Sequence, residues 1–148
     1  MLAPALDLSF TPWRRLMLSE RRDIWCLVDA VDYDWIIEHN WNHGWHNRTP
    51  WKFYAKRNIG LARSTVYLHR EVLLRVDPRD AGAIVGLHGD HINGQSLDNR
   101  RANLRWATPQ QNRANHKARH EIPSLESILA KLMREAAADA RQLADIPF

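Results

Sequence analysis

Residues 90–117 read DHINGQSLDNRRANLRWATPQQNRANHK. The stretch holds two His, five Asn, two Asp and five Arg or Lys among few apolar residues. So polar a segment cannot be shaped by burial of its own side chains. Its order has to come from side-chain hydrogen bonds or from a bound ion. The local signals are nevertheless clear. Asn93-Gly94 is a strong turn signal, so residues 85–92 read as a strand that ends there. A polar loop runs to Ala102, and residues 103–107 read as a second short strand. Thr108 is placed as an N-cap with Pro109 at the first helical position, which predicts a helix from Gln110 to about Arg119. The unit is strand, loop, strand, helix.

On such a helix Asn112 shares a face with Asn115 and His116, three and four residues on. Asp90 and His91 lie near the end of the first strand. Adjacent strand residues point to opposite faces, so both can serve one site only if the strand bulges or stops there. With the helix packed across the hairpin, a carboxylate, an imidazole and an amide oxygen come within reach of one another. Carboxylate and amide oxygens are hard donors that favour Mg²⁺ or Mn²⁺ over Zn²⁺ and leave positions for water and phosphate.

The segments DHINGxxLDNRRxNLR and QNxxN resemble the HNH, or ββα-metal, nuclease motif. They are most similar to phage and intron-encoded homing endonucleases, in which the third motif position is often Asn. The motif residues are His91, Asn103 and Asn112, at spacings of twelve and nine. VDAVDYDWI and VYLHREVL upstream resemble the lead-in of the same subgroup, so the likeness covers roughly residues 24–117. It implies a DNA endonuclease using one divalent metal ion, Mg²⁺ or Mn²⁺, on double-stranded DNA. By this resemblance His91 is the general base, Asp90 and Asn112 bind the metal, and Asn103 bridges backbone groups across the polar loop. His116 departs from the subgroup's commonest residue and is a candidate third ligand. The resemblance also implies a backbone carbonyl fixing the His91 tautomer.

Charge supports a polyanionic partner. The overall +4 divides unevenly: five Lys/Arg against seven Asp/Glu in residues 1–50, thirteen against five in 51–120, and three against five in 121–148. A basic middle attracts nucleic acid, though a solvated basic face has the same composition. WKFYAKR (51–57) alternates as a strand, with Trp51, Phe53 and Ala55 on one face and Lys52, Tyr54 and Lys56 on the other. TVYLH (65–69) returns as its hairpin partner. Lys52, Tyr54, Lys56 and Arg57, together with Arg100, Arg101, Arg105 and Arg113, are the candidate nucleic-acid contacts; for the arginines the alternative is solubility.

Elsewhere, residues 1–22 read as an irregular extension, 24–30 as a strand, and 32–40 as a short helix capped by Asp32. WNHGWHNRTP (41–50) reads as a loop, and its histidines, with His39, lack metal-ligand periodicity. REVLLRV (70–76) reads as a helix; His69 before it suits a buried, hydrogen-bonded role, and His88 a surface one. Most of the seven Trp suit packing, although an exposed one could wedge into DNA. After Pro123, Leu125, Ile128, Leu129, Leu132, Ala136, Ala140 and Leu143 recur at helical spacing behind a Ser124 cap. The lone Cys26 excludes an intramolecular disulfide framework and a Cys-rich zinc site. No apolar run is long enough to span a bilayer, and the N-terminus, with Asp7 inside its apolar stretch, is a poor signal peptide. A cytoplasmic location in a bacterial or phage-infected cell is expected.

The expectation is an α+β fold: an extension (1–23), a small antiparallel DNA-contacting subdomain (24–84), the ββα-metal motif (85–120) and a C-terminal amphipathic helix (121–148). One motif gives one active site, so a monomer should nick, and a homodimer through the terminal helix could cut both strands. No dedicated DNA-binding module is read downstream of the motif. The rival readings are a catalytically inactive DNA-binding module and a phage assembly protein on the same fold.

Overall fold

The computed structural model describes residues 8–46 and 48–147, without the side chain of His46. Pro4 and Asp7 of the N-terminal stretch lie outside the described residues. Seven strands and four α-helices follow in the order β1 (Trp13–Ser19), β2 (Ile24–Asp29), α1 (Ala30–Ile36), β3 (Asn42–His46), β4 (Thr49–Ile59), β5 (Ser64–Tyr67), α2 (Leu68–Val76), β6 (His88–His91), β7 (Leu104–Ala107), α3 (Pro109–Ala114) and α4 (Leu125–Ala144). The α+β class and the ββα order therefore hold.

β2 is the centre of the molecule. Its run Ile24–Val28 is buried at every position, because both of its edges are covered. On one edge β1 pairs antiparallel to it, Leu16 opposite Cys26. On the other lies the polar loop before β7: the Leu27 amide donates to the Leu97 carbonyl at 2.8 Å, and the Asn99 amide donates to the Leu27 carbonyl at 2.8 Å. Residues 13–19 are thus a strand rather than an irregular extension; the alternation of Leu16 and Leu18, both buried, with exposed Met17 was the signal.

β3, β4 and β5 form an antiparallel sheet in that order. The stretch expected as a loop at 41–50 is mostly strand, since Asn42–Trp45 pairs with Phe53–Lys56. β6 and β7 make the two-stranded ribbon of the ββα unit, with Asp90 opposite Arg105 and His91 opposite Leu104. Leu68 and His69 belong to α2 rather than to the preceding strand. Side chains from β1, β2, α1, α2, β7, α4 and the Leu97 loop meet in one hydrophobic cluster that includes Leu27, Val28, Ile36, Leu68, Val72, Leu104 and Trp106. α4 is capped by the Ser124 hydroxyl at 3.1 Å and packs through Leu125, Ile128 and Leu129; its later turns, from Ala137 on, are exposed. Among the described residues no helix is long and apolar enough to cross a membrane.

Asp32 does not cap α1. It sits inside the first turn, fully buried, while Asp29 holds the N-cap position. Its carboxylate takes two hydrogen bonds from Arg101, at 2.9 and 2.7 Å, and one from Trp35 Nε1 at 2.9 Å. Burial alone would raise the Asp32 pKa, but the bonds from Arg101 and Trp35 outweigh it and hold the group below the usual carboxylate range. Asp29 accepts from the Arg101 backbone amide at 2.7 Å. These bonds clamp the polar loop to the N-terminal strands. Arg101→Ala leaves a buried carboxylate without its partner, tempered by the guanidinium's 38% exposure. A loss of about 2–3 kcal/mol in unfolding free energy is expected by urea denaturation.

Candidate active site

The strand β6 ends at His91, and this resolves how two adjacent residues can serve one site: Asp90 and His91 both line the same cleft, of about 870 Å³. The cleft lies between the ββα unit and the cleft-facing side of β4. Lys52, Tyr54 and Lys56 form one wall, α2 supplies His69 and Arg70, and Asn112, Arg113, Asn115, His116 and Lys117 form the opposite side. Among these residues Asp90 is the one carboxylate, set among five Lys and Arg side chains.

Asp90 is buried and held from two sides. Arg105 Nε donates to its Oδ2 at 2.9 Å, and Asn115 Nδ2 lies 3.1 Å from both of its oxygens. Asn115 Nδ2 also reaches the His91 carbonyl at 3.0 Å. These contacts explain why α3 is shorter than its sequence predicts. Thr108 and Gln111 make a full capping box at its start, but Asn115 leaves the helix as its C-cap to reach Asp90 and His91. Asn112 is therefore on the helix and His116 is beyond its end, so the two do not share a helix face, although both line the cleft.

His91 is buried, and burial pushes its pKa down to about 4; Asn99 and the nearby Asp98 and Asp90 oppose that shift, while Lys52 adds to it. Its Nε2 lies 3.0 Å from Asn99 Oδ1, so a side-chain amide occupies the place expected for a backbone carbonyl. The rings of His69 and Tyr54 stand 4.7 and 6.2 Å from the His91 ring. His69 is itself driven well below the usual imidazole pKa, chiefly by burial and then by His91, Arg70 and Lys52. It fits here because residue 89 is glycine: a Cβ there would come within 2.5 Å of the His69 ring. Burial likewise lowers the Lys52 pKa, against the attraction of Asp90, and raises that of Tyr54.

Asn103 sits in a 3-10 turn, Arg101–Asn103, and ties the polar loop together. Its Oδ1 accepts from the Asn93 amide at 3.0 Å and its Nδ2 donates to the Asp98 carbonyl at 2.9 Å. Asp98 adds bonds from Asn93 Nδ2 at 2.9 Å and from Arg100 at 2.8 Å to each oxygen. The Ser96 hydroxyl donates to the Phe53 carbonyl of β4, and Gln95 Nε2 donates to the Pro123 carbonyl at 2.9 Å.

The basic residues divide into two groups. Arg57 pairs with Glu71 at 2.6 Å, Arg100 with Asp98, Arg101 with Asp32 and Arg105 with Asp90. These four, expected at phosphates, are held by internal carboxylates, because each lies where a buried or half-buried acid needs a counter-charge. Lys52, Lys56 and Arg113 do face the cleft, and Arg70 and Lys117, not singled out in the sequence, join them. Asn99 and Asn115 were also missed as site residues. Asn115 carries a weak signal, three residues after Asn112; Asn99 stands within the DHINGxxLDNRRxNLR segment, but nothing in that pattern gives it His91 as a partner.

Residues 82–114 match the sequence model of the HNH endonuclease family. This segment is similar to HNH endonucleases over about a fifth of the chain. No curated protein and no solved structure matches the chain. The matched span covers β6, the polar loop, β7 and α3, and so includes Asp90, His91, Asn103 and Asn112. The walls bearing Lys52, Tyr54, Lys56 and His69 come from chain the match does not reach.

The donor set beside His91 suits a hard cation. Among the described residues no three His, Cys, Asp or Glu side chains gather as a metal cluster. One carboxylate and one amide lining the same cleft make a poor zinc cage, whereas Mg²⁺ takes such oxygen donors and keeps most of its waters.

Two outcomes follow from the buried imidazoles. In chelator, the unfolded chain protonates residue 91 below its ordinary pKa of 6.5, whereas the folded chain resists until about 4. The stability tied to neutral His91 is complete above 6.5 and is lost as pH falls toward 4, by about 3 kcal/mol, with His69 acting in the same direction. Urea titrations across this range should show the loss, and His91→Gln should flatten it. Gly89→Ala should push on His69 and lower stability by about 1–3 kcal/mol, seen as a reduced melting temperature.

Proposed function

We propose that this protein is a divalent-metal-dependent endonuclease that hydrolyses phosphodiester bonds in double-stranded DNA. The observation that carries the reading is the convergence of Asp90, His91 and Asn112 on one basic cleft within a matched HNH motif. Asp90 and Asn112 are the residues that would hold Mg²⁺, or Mn²⁺ in its place, with His116 at the edge of the same cleft as a further candidate. The ion, when bound, would supply positive charge for the scissile phosphate and the departing 3′ oxygen.

The chain's own residues do the rest. His91, kept neutral by burial, accepts the proton of the attacking water. Lys52, Lys56 and Arg113 bind the phosphates flanking the scissile bond, where their charge has little internal competition. Asn103 holds the loop that carries these groups in register. Arg105 and Asn115 orient the Asp90 carboxylate. A phage-borne or homing role belongs to the same reading and draws support from the likeness of residues 24–117 to that subgroup.

One motif per chain makes a single-strand nick the expected product, and linear DNA would point to pairing of two chains through α4. With Mg²⁺, supercoiled plasmid should convert to open circles. His91→Ala should lower the rate roughly 10²- to 10⁴-fold, and Asp90→Ala or Asn112→Ala should abolish the metal response. Parallel reactions in Mg²⁺, Mn²⁺ and Zn²⁺ should rank zinc last. Retained DNA binding with no cleavage in any of the three would overturn the reading in favour of a DNA-binding module.

A further inference from the structure

His91 is gripped by a residue that neither the motif nor the family match assigns. Asn99 Oδ1 lies 3.0 Å from His91 Nε2. Asn99 is almost fully buried, at 1% exposure, and its backbone cannot drift, because its amide is bonded to the Leu27 carbonyl of β2 at 2.8 Å. Its Nδ2 finds no full hydrogen-bond partner and turns toward the buried Cys26 thiol. A thiol is a weak acceptor. The amide is therefore oriented by the single strong bond at its other end, the one to the imidazole.

The other ring nitrogen of His91 is in a different situation. Nδ1 makes no hydrogen bond among the described residues, yet it is not among the buried unsatisfied atoms. His91 lines the cleft, and with Nε2 engaged by Asn99, Nδ1 is the ring nitrogen left to face it. A neutral imidazole carries one proton, and an acceptor at one nitrogen draws that proton to itself and leaves the lone pair on the other.

We infer that Asn99 is a positioning residue that holds His91 as the Nε2–H tautomer, with Nδ1 presented to the cleft as the basic nitrogen. Its consequence for catalysis rests on the reading of His91 as the general base; the tautomer itself does not. A neutral amide suits the task. A carboxylate in the same place would select the same tautomer but raise the pKa of the imidazole, whereas an amide selects the tautomer without adding charge. The His69 ring, seated over Gly89, packs against His91 and restrains the ring while Asn99 fixes its edge.

The experiment is long-range ¹H–¹⁵N correlation of the imidazoles in the full-length, metal-free, ¹⁵N-labelled protein near pH 7.5, with His91 assigned through His91→Gln. His91 should give the Nε2–H pattern in the wild type. Asn99→Ala should abolish the preference, and Asn99→Asp, which keeps an acceptor oxygen, should retain it. In plasmid nicking, Asn99→Ala should lose roughly ten- to hundredfold in kcat with KM for DNA unchanged, and Asn99→Asp should recover part of that loss. An Nδ1–H pattern in the wild type overturns the inference whatever the variants do, as does an unchanged pattern in a folded Asn99→Ala protein. Should Asn99→Ala not fold, the wild-type and Asn99→Asp spectra still decide. A wild type with the expected tautomer and no cleavage would refute the nuclease reading alone.

Discussion

Two backbone hydrogen bonds on Leu27 hold the site to the body of the protein. The loop between β6 and β7 has too few apolar side chains to fold on its own, and its Leu97 is the chief one that reaches the core. By pairing with the outer edge of β2, residues 97–99 borrow the rigidity of the most buried strand in the chain. The Arg101 clamp on Asp29 and Asp32 closes the loop from the other side. Buried polar groups are tolerable only when their hydrogen bonds are made, and here Asp98, Asn103 and Arg100 make them for one another. What shapes so polar a stretch is a dense hydrogen-bond network anchored on an apolar strand.

That anchoring sets the electrostatics of the cleft. Acids elsewhere are matched by arginines at close range, so their charges do not project far. The cleft keeps Lys52, Lys56, Arg70, Arg113 and Lys117 around a lone carboxylate, Asp90. Buried between them, His91 and His69 stay neutral well into the acidic range. The result is a basic cavity that attracts an anion and holds an unprotonated imidazole on its wall.

Much of the site was readable without coordinates, for reasons specific to each element. Thr108-Pro109 started α3 where capping chemistry demands, and the alternation of residues 51–57 put Lys52, Tyr54 and Lys56 on one face. Residues 41–50 look like a loop locally because Gly44 and the polar residues around it mask a strand whose partner, β4, supplies the regularity. Residues 13–19 carry only a short alternation of their own; the strand is stabilised by its neighbour, and the edge that β2 offers exists only in the fold. α3 ran short because Asn115 gains more from Asp90 and the His91 carbonyl than from another helical turn.

The sequence by itself determined the ββα order, the identity of the polar residues at the end of β6, and the basic character of the face opposite them, since each follows from local chemistry: turn, cap and alternation. The tertiary structure alone decided which arginines serve the protein's own acids, that His91 is held by Asn99 and flanked by His69, and that the polar loop lies along β2. These are pairings between residues far apart in the chain. They are settled by which buried charges and amides need partners once the core has formed, and no local pattern carries that information.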